Sequence, residues 1–316
     1  MNNGRIILAG GSGLLGTLLA RQAAARGWEV VVLTRHPSQS GGAIREVFWD
    51  GRSPGPWAGH FEGARAVVNL AGRNVNCRFT PENVREINES RVNSVRAVTE
   101  AIRRCARPPQ VFVQAAGQAI YGDQGERWCD ETTPPGEGFL VETCRLWENA
   151  FQEAASLNVR RVLLRIGFVL DREGGALKPL RALAKWGLGG QAGSGRQYIS
   201  WIHSADMSRL FLFAIEHPEA QGVLNACAPN PVTNAQFMRA LCRVLHRPWS
   251  PPVPAWAVRI GAWLMGTEPR LALTGCRCAP KRTAELGFDF AFRGVETALN
   301  DLCFPPNDHA SKRQPT

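Results

Sequence analysis

The feature that most constrains this chain is a glycine-rich turn near its start. It joins an apolar predicted strand, Ile6–Ala9, to an Ala- and Leu-rich predicted helix, Leu14–Arg26. This order of strand, turn and helix is typical of dinucleotide-binding folds. Gly10 permits the tight turn, Gly13 lets backbone N–H groups approach a pyrophosphate, and Gly16 lets the helix pack against the sheet. The predicted pyrophosphate site comprises Gly10, Gly11, Ser12, Gly13, Leu14, Leu15 and Gly16.

The tip of the second predicted strand, Glu29–Thr34, indicates which dinucleotide binds. An acidic residue about 20 positions beyond the turn would bind the ribose hydroxyls and favour NAD. This tip carries no acid; Thr34 is followed by Arg35 and His36. The Arg35 guanidinium can pair with a 2′-phosphate and the Thr34 hydroxyl can donate to it, so the sequence predicts NADP(H). A stack of Arg35 on the adenine ring is the alternative.

The fold class follows from strands and helices that alternate through the first half of the chain. Such alternation predicts an α/β protein with a Rossmann-type, doubly wound parallel sheet. Further strands are predicted at Ile44–Trp49, Ala66–Asn69, Gln110–Ala115, Arg161–Gly167 and Gly222–Ala226, and helices at Pro81–Cys105, Glu142–Ser156 and Ser204–His217.

The pattern changes after Leu170, where glycine-rich turns replace the regular alternation, and again near Pro229, where the chain becomes helical and Pro-punctuated. We therefore predict a dinucleotide-binding domain over residues 1–228 with a cap-lobe insertion near 171–200. A smaller, mostly helical cap lobe is predicted over 229–304. Residues 305–316 are polar, and a flexible tail is predicted there.

The net charge of +10 bears on the choice of partners. Of the basic residues, 33 are Arg and 4 are Lys, and they are spread along the chain without a run of five or six like charges. Nucleic-acid binding needs clustered basic residues, so no nucleic-acid partner is predicted. No apolar stretch reaches the roughly 20 residues that cross a bilayer, and no secretory signal is recognisable. The sequence predicts a cytoplasmic protein with no membrane partner.

The nine cysteines are odd in number and scattered, which predicts reduced thiols rather than a disulfide framework. Cys276 and Cys278 are the closest pair. A zinc site would need a second pair at matching spacing, and the sequence has none. No metal site is predicted.

Several segments resemble the extended branch of the short-chain dehydrogenase/reductase superfamily. Asn69-Leu70-Ala71-Gly72 looks like that family's strand end beside the cofactor. More narrowly, the chain is similar to the atypical "epimerase family protein" subgroup in three segments: Gly187–Trp201, which reads GLGGQAGSGRQYISW, Ile202–Asp206 and Pro280–Arg282. The resemblance covers nearly the whole chain and implies an NADP-binding protein whose substrate is an unidentified small molecule.

The resemblance also implies further cofactor contacts. Thr34 and Arg35 would hold the adenosine phosphate, and Val169 would contact the nicotinamide half. Leu70, Ala71 and Gly72 would lie beside the cofactor, and Glu86 and Arg91 match positions that relatives use. A coincidental i,i+5 pair on a helix surface is the alternative for Glu86 and Arg91.

The chain departs from the superfamily in its acid/base residues. The usual Tyr-x-x-x-Lys pair is absent, because Leu140 and Cys144 align with its two positions. The strand end Gln114–Gln118 also lacks the usual Ser or Thr. Tyr121, which follows that strand, and His203, which titrates near neutrality, are the catalytic candidates. For His203 a structural role at a helix start is an equal alternative.

Two functions fit these observations. One is an NADP(H)-dependent oxidoreductase or epimerase with an unusual proton donor. The other is a non-catalytic protein that binds NADP(H) and acts as a regulator or scaffold. The missing Tyr-Lys pair favours the second function, whereas the complete cap lobe favours the first. The sequence is also compatible with a homodimer.

Overall fold

The computed structural model describes residues 4–38, 42–247 and 250–304. In chain order the strands are β1 (Arg5–Ala9), β2 (Glu29–Thr34), β3 (Ile44–Phe48), β4 (Ala66–Asn69), β5 (Val111–Gly117), β6 (Trp128–Cys129), β7 (Arg160–Ile166), β8 (Phe168–Leu170), β9 (Tyr198–Ile199), β10 (Trp201–His203), β11 (Gly222–Ala226), β12 (Val232–Thr233) and β13 (Arg277–Cys278). The helices are α1 (Leu14–Ala25), α2 (Pro81–Arg103), α3 (Phe139–Gln152), α4 (Leu177–Lys185), α5 (Ser204–Glu216), α6 (Asn234–Val244), α7 (Ala255–Leu264), α8 (Arg270–Leu273), α9 (Lys281–Glu285) and α10 (Val295–Cys303). The predicted tail, 305–316, lies outside the described residues.

A seven-stranded parallel sheet in the order β11-β7-β5-β4-β1-β2-β3 forms the centre of the molecule. The predicted doubly wound fold is confirmed. The chain moves outward from β1 in both directions, so the strand order reverses between β1 and β4. Ligands of such sheets bind in the crevice at the carboxyl ends of the strands beside this reversal.

The core has one apolar layer on each face of the sheet. Helices α1 and α5 pack on one face, and α2 and α3 pack on the other. The strands alternate their buried side chains between these layers; Ile6 and Leu8 face the first and Ile7 faces the second. A third apolar cluster joins α4, α6 and α10 in the C-terminal part. No helix among the described residues is long and apolar enough to span a bilayer.

Helix α3 begins three residues earlier than the predicted Glu142. Gly138 has φ +122° and precedes Phe139, so the turn into the helix depends on a glycine conformation that the apolar pattern does not reveal. Residues Glu153–Ser156, which the prediction placed in the same helix, continue as a 3-10 turn. Thr80 caps α2 as predicted, because its side chain accepts a hydrogen bond from the Asn83 N–H.

Candidate functional site

The glycine turn lies at the strand reversal. Gly10 has φ +72°, and a Cβ there would lie 2.6 Å from Ala71 Cα. A Cβ on Gly16 would collide with the Gly11 backbone, so α1 begins directly against the turn. Two of the predicted glycine roles, the tight turn and the close packing of the helix, thus have a steric cause in the structure.

Gly13 differs from these two glycines because it faces open space. It is exposed, and no atom lies within 4 Å of the position that its Cβ would take. It also precedes α1 with extended backbone angles, and the first turn of α1 has no acidic residue. The first N–H groups of a helix lack partners within it and attract anions. The turn can therefore receive a phosphate group at the start of α1.

Thr34 connects the tip of β2 to this turn. Its Oγ1 donates a hydrogen bond to Ser12 Oγ over 3.1 Å, although the two residues are 22 positions apart. Arg35, the next residue, is exposed and close in sequence to this contact. The structure thus brings Ser12 and Thr34 together and leaves Arg35, the residue after Thr34, exposed to solvent.

A buried amide shapes the end of β4. Asn69 Oδ1 accepts a hydrogen bond from the Ala71 N–H over 3.1 Å, and Asn69 Nδ2 donates to Gln114 Oε1 over 3.0 Å and to Ser94 Oγ over 3.2 Å. These bonds hold the backbone of Leu70 and Ala71 in a turn against Gly10. Residues of the predicted N-x-A-G segment therefore reach the glycine turn.

Arg91 and Glu86 have different environments on α2. Arg91 lies against Gly72, where a Cβ would be 3.3 Å from Arg91 Cγ, and its guanidinium lies 4.8 Å from the Trp147 ring centre. Burial lowers the pKa of Arg91. Glu86 is exposed and forms an ion pair with Arg73. The structure thus brings Arg91 to the end of the N-x-A-G segment and places Glu86 at the surface of the helix.

A loop after β8 reaches the glycine turn from the other side. A Cβ on Gly174 would lie 2.9 Å from Leu14 Cδ1, and a Cβ on Gly175 would lie 3.5 Å from the Val169 carbonyl oxygen. Asp171 Oδ1 holds this loop by accepting from the Gly174 N–H over 2.9 Å. Sequence reasoning placed Val169 near the cofactor but missed Asp171. The signal available was the Gly174-Gly175 pair, which marks a tight turn.

Tyr121 is completely buried in the 3-10 turn, Gln118–Tyr121, that follows β5. Its hydroxyl donates to Asn225 Oδ1 over 2.8 Å and accepts from Arg165 Nη1 over 3.0 Å. Burial raises the pKa of the Tyr121 hydroxyl, and the Arg165 charge only partly offsets this effect. Arg165 also forms two hydrogen bonds of 2.9 Å with the Glu148 carboxylate. Both hydrogen-bonding directions of this hydroxyl are therefore used within the protein.

His203 is also buried and lies where β10 meets α5. Its Nδ1 caps α5 by accepting from the Ala205 N–H over 3.0 Å, and its Nε2 lies 3.2 Å from Asp301 Oδ2. The ring stacks on Phe292 at 3.8 Å. Burial lowers the pKa of His203, and Asp301 acts against that effect. These contacts tie the imidazole to the C-terminal residues.

The two positions that align with the missing acid/base pair lie on α3. Leu140 is half-buried and cannot exchange a proton. Burial raises the pKa of the Cys144 thiol to about 12, and the nearby Glu148 charge adds to this effect. A Cβ on Gly117 would lie 3.4 Å from the Cys144 sulfur, so the thiol faces the end of β5. Neither residue replaces the Tyr-Lys chemistry.

Comparisons with known proteins show which family the chain is similar to. The NAD dependent epimerase/dehydratase family matches residues 6–141, and a domain of unknown function, DUF1731, matches residues 253–302. The chain is 35% identical over 306 residues to "Epimerase family protein SDR39U1 homolog, chloroplastic" of Arabidopsis thaliana, which covers 94% of this chain and 86% of that protein. It is 32% identical over 301 residues to epimerase family protein YfhF of Bacillus subtilis, with 94% and 97% covered.

Solved structures of similar fold include another epimerase family protein. The crystal structure of human epimerase family protein SDR39U1 (isoform 2) with NADPH has a TM-score of 0.82 and 31% identity, over 94% of this chain and 98% of that one. MoeE5 in complex with UDP-glucuronic acid and NAD has a TM-score of 0.74 over 94% of this chain and 96% of that one, but is only 19% identical and shows the fold alone. This chain belongs to the epimerase family proteins, as the resemblance in its sequence implied, and it has an NAD-dependent epimerase/dehydratase segment followed by a DUF1731 segment.

Proposed function

We propose that this chain binds NADP(H) with the pyrophosphate at the start of α1. The observation that carries the proposal is the open space over Gly13 at the start of α1. Arg35 and Thr34 would bind the 2′-phosphate, with Ser12 beside them. The crystal structure of human SDR39U1 supports this choice, because that protein was solved with NADPH.

The other proposed contacts surround the rest of the cofactor. Leu70, Ala71 and Gly72 would line one side, and Val169 the other. Arg91, which lies against Gly72, would place a positive charge near the cofactor. Glu86 lies at the surface of α2 and would act indirectly, through its ion pair with Arg73. We propose that residues 1–228 form this binding unit and that 229–304 form a lobe that covers a substrate.

We propose that the protein is an oxidoreductase or epimerase that acts in the cytoplasm on an unidentified small molecule. NADPH supplies a hydride when it is bound. The chain itself must orient the acceptor and provide a proton, and Tyr121 and His203 are the proposed donors. In the structure the Tyr121 hydroxyl is hydrogen-bonded to protein groups and would have to exchange one of them for the substrate. His203 uses Nδ1 to cap α5, so its Nε2, which lies 3.2 Å from Asp301 Oδ2, is the atom that would donate.

The proton donors can be tested once turnover is found. Purified protein, NADPH and a panel of carbonyl compounds would be followed through the absorbance of the reduced cofactor. We expect Tyr121→Phe or His203→Ala to lower kcat by at least about 100-fold, as is usual for removal of a general acid. Native rates in both variants would refute this assignment of the donors and leave the cofactor proposal intact.

A second candidate function is a non-catalytic NADP(H) binder that reports the cofactor to another molecule. The specific observation in its favour is the buried, fully bonded Tyr121 hydroxyl together with Leu140 and Cys144 at the positions of the usual pair. Tight NADPH binding without oxidation of NADPH by any compound of the panel would favour this function over the first.

Arg35 provides the test of cofactor choice. We expect Arg35→Ala to weaken NADPH binding by about 1.5–3 kcal/mol, or roughly ten- to a hundred-fold, because a charge-assisted contact is lost. NADH binding should change little. Isothermal titration calorimetry measures both affinities. Arg45→Ala is the matched control, because Arg45 is exposed on the neighbouring strand β3 and its removal changes the net charge equally. Equal affinities of the native protein for NADPH and NADH would contradict the proposal.

A further inference from the structure

Helix α7 presents bulky apolar side chains to solvent. Its buried residue is the small Ala262, and its neighbours Ala255 and Gly261 are only half-buried. The large side chains are exposed instead, and together with Met265, which follows the helix, they are called the α7 face: Trp256 (65% exposed), Ile260 (52%), Trp263 (62%), Leu264 (70%) and Met265 (64%). The half-buried or buried residues of this helix are Ala, Gly and Val258, whereas its aromatic and long aliphatic side chains are exposed.

The spacing of these residues makes them one continuous surface. Positions 256, 260, 263 and 264 lie three or four residues apart or side by side, so they share one side of the helix. Single exposed apolar residues are normal on protein surfaces, but a contiguous group that includes two tryptophans marks a contact site. The α7 face therefore has the character of an interface.

The charges around the α7 face identify the partner. Arg259 is exposed within the same helix, and the Arg270 side chain is 69% exposed just beyond it. Between Arg247 and Lys281 the sequence has one acidic residue, Glu268, whose side chain is 18% exposed and lies 3.7 Å from Arg270. The surface is thus apolar and cationic, and it fits a partner that is apolar and anionic.

A second copy of this chain fits the α7 face less well. A two-fold symmetric contact places the same surface on both subunits. Arg259 of each copy would then enter the contact, and the one acid of the surrounding segment, Glu268, is mostly buried and already lies beside Arg270. Burying such charges without partners is costly.

We propose that the α7 face docks on the surface of a bilayer that contains anionic phospholipids. Tryptophan prefers the boundary between headgroups and acyl chains, and arginines near the surface are attracted to anionic headgroups. The helix has 10 residues and is about 15 Å long, so it would lie in the plane of the surface and not span it. The sequence-based expectation of no membrane partner rested on the absence of a spanning segment, which does not address this mode of binding.

The test uses the full chain and sedimentation with phosphatidylcholine vesicles, with or without phosphatidylglycerol. We expect binding to the anionic vesicles, weaker binding at high salt, and a blue shift of tryptophan fluorescence on binding. Trp256→Ser/Ile260→Ser should lower the partition to anionic vesicles by at least about ten-fold, because apolar area is lost from the contact. Arg259→Gln should weaken binding to the anionic vesicles selectively.

Phe48→Ser/Leu146→Ser is the matched control, because it removes two exposed apolar side chains from the sheet edge and from α3. It should bind anionic vesicles as the native chain does, and urea unfolding should show that all variants are folded. Three results would overturn the proposal: no binding to the anionic vesicles, equal loss in the control, or a native dimer that Trp256→Ser/Ile260→Ser converts to a monomer. The last result would assign the α7 face to a second copy.

Discussion

We expect Gly13→Val to fold like the native chain and to lose NADPH binding completely. The backbone at Gly13 has φ −78° and ψ 177°, which is an extended conformation that valine adopts readily. No atom lies within 4 Å of the position of its Cβ, so the folded protein can accommodate the side chain. In the proposed complex the pyrophosphate approaches the first N–H groups of α1 through the same space. The valine side chain would therefore fill the space that the pyrophosphate needs, while the folded conformation of the protein stays unchanged.

Calorimetry with NADPH measures the loss of binding, and urea unfolding measures the free energy of unfolding of the same sample. Gly59→Val is the matched control, because a Cβ at Gly59 also meets no atom within 4 Å. It should bind NADPH like the native chain. Gly16→Val is the contrasting variant; its side chain collides with the Gly11 backbone, so it should unfold more easily. Tight NADPH binding by folded Gly13→Val would refute the proposed turn.

The glycine turn could be predicted from sequence because its determinants are local. The strand before it, the helix after it and the spacing of its glycines all lie within 25 residues of one another, and each has a recognisable pattern. Strands β2, β4 and β11 begin and end at the predicted residues for a similar reason: each is a short apolar run with polar or glycine residues at its ends.

The surroundings of Tyr121 could not be predicted in the same way. Its hydroxyl contacts Asn225, which is 104 positions away in the chain, and Arg165, which is 44 positions away. Such contacts depend on which strands become neighbours in the sheet, and a single sequence does not display that order. The sequence therefore indicated that Tyr121 follows β5 but not that protein groups occupy its hydroxyl.

The pair of Arg165 and Glu148 should contribute strongly to stability. Their side chains are only 8% and 13% exposed, and two hydrogen bonds of 2.9 Å join them. Burial on its own would lower the pKa of Arg165, but the hydrogen bonds and charge of Glu148 outweigh it, and the pKa of Arg165 is raised. The guanidinium therefore stays charged and depends on the carboxylate as its counter-ion.

We expect Glu148→Ala to lower the free energy of unfolding by about 3–5 kcal/mol, because it leaves a buried positive charge without its partner. Urea unfolding measures this change. The matched control is Glu153→Ala, which removes an acid that also forms two hydrogen bonds with an arginine, Arg96. That pair is exposed, with side-chain exposures of 58% and 51%, so its loss should cost no more than about 1 kcal/mol.

A further variant separates two contributions to the free energy of unfolding: the destabilisation caused by a buried unpaired charge, and the net stabilisation that the ion pair itself provides. Arg165→Met/Glu148→Leu removes both charges and keeps similar volume, so we expect it to be more stable than Glu148→Ala. It also removes the donor to the Tyr121 hydroxyl, which would still donate to Asn225. If Glu148→Ala lowered the free energy of unfolding no more than Glu153→Ala does, the Arg165 guanidinium would have to be in contact with water once its partner is lost. The Tyr121 hydroxyl would then lose its Arg165 donor in the single variant too, and the end of β5 would be less rigid than its hydrogen bonds indicate.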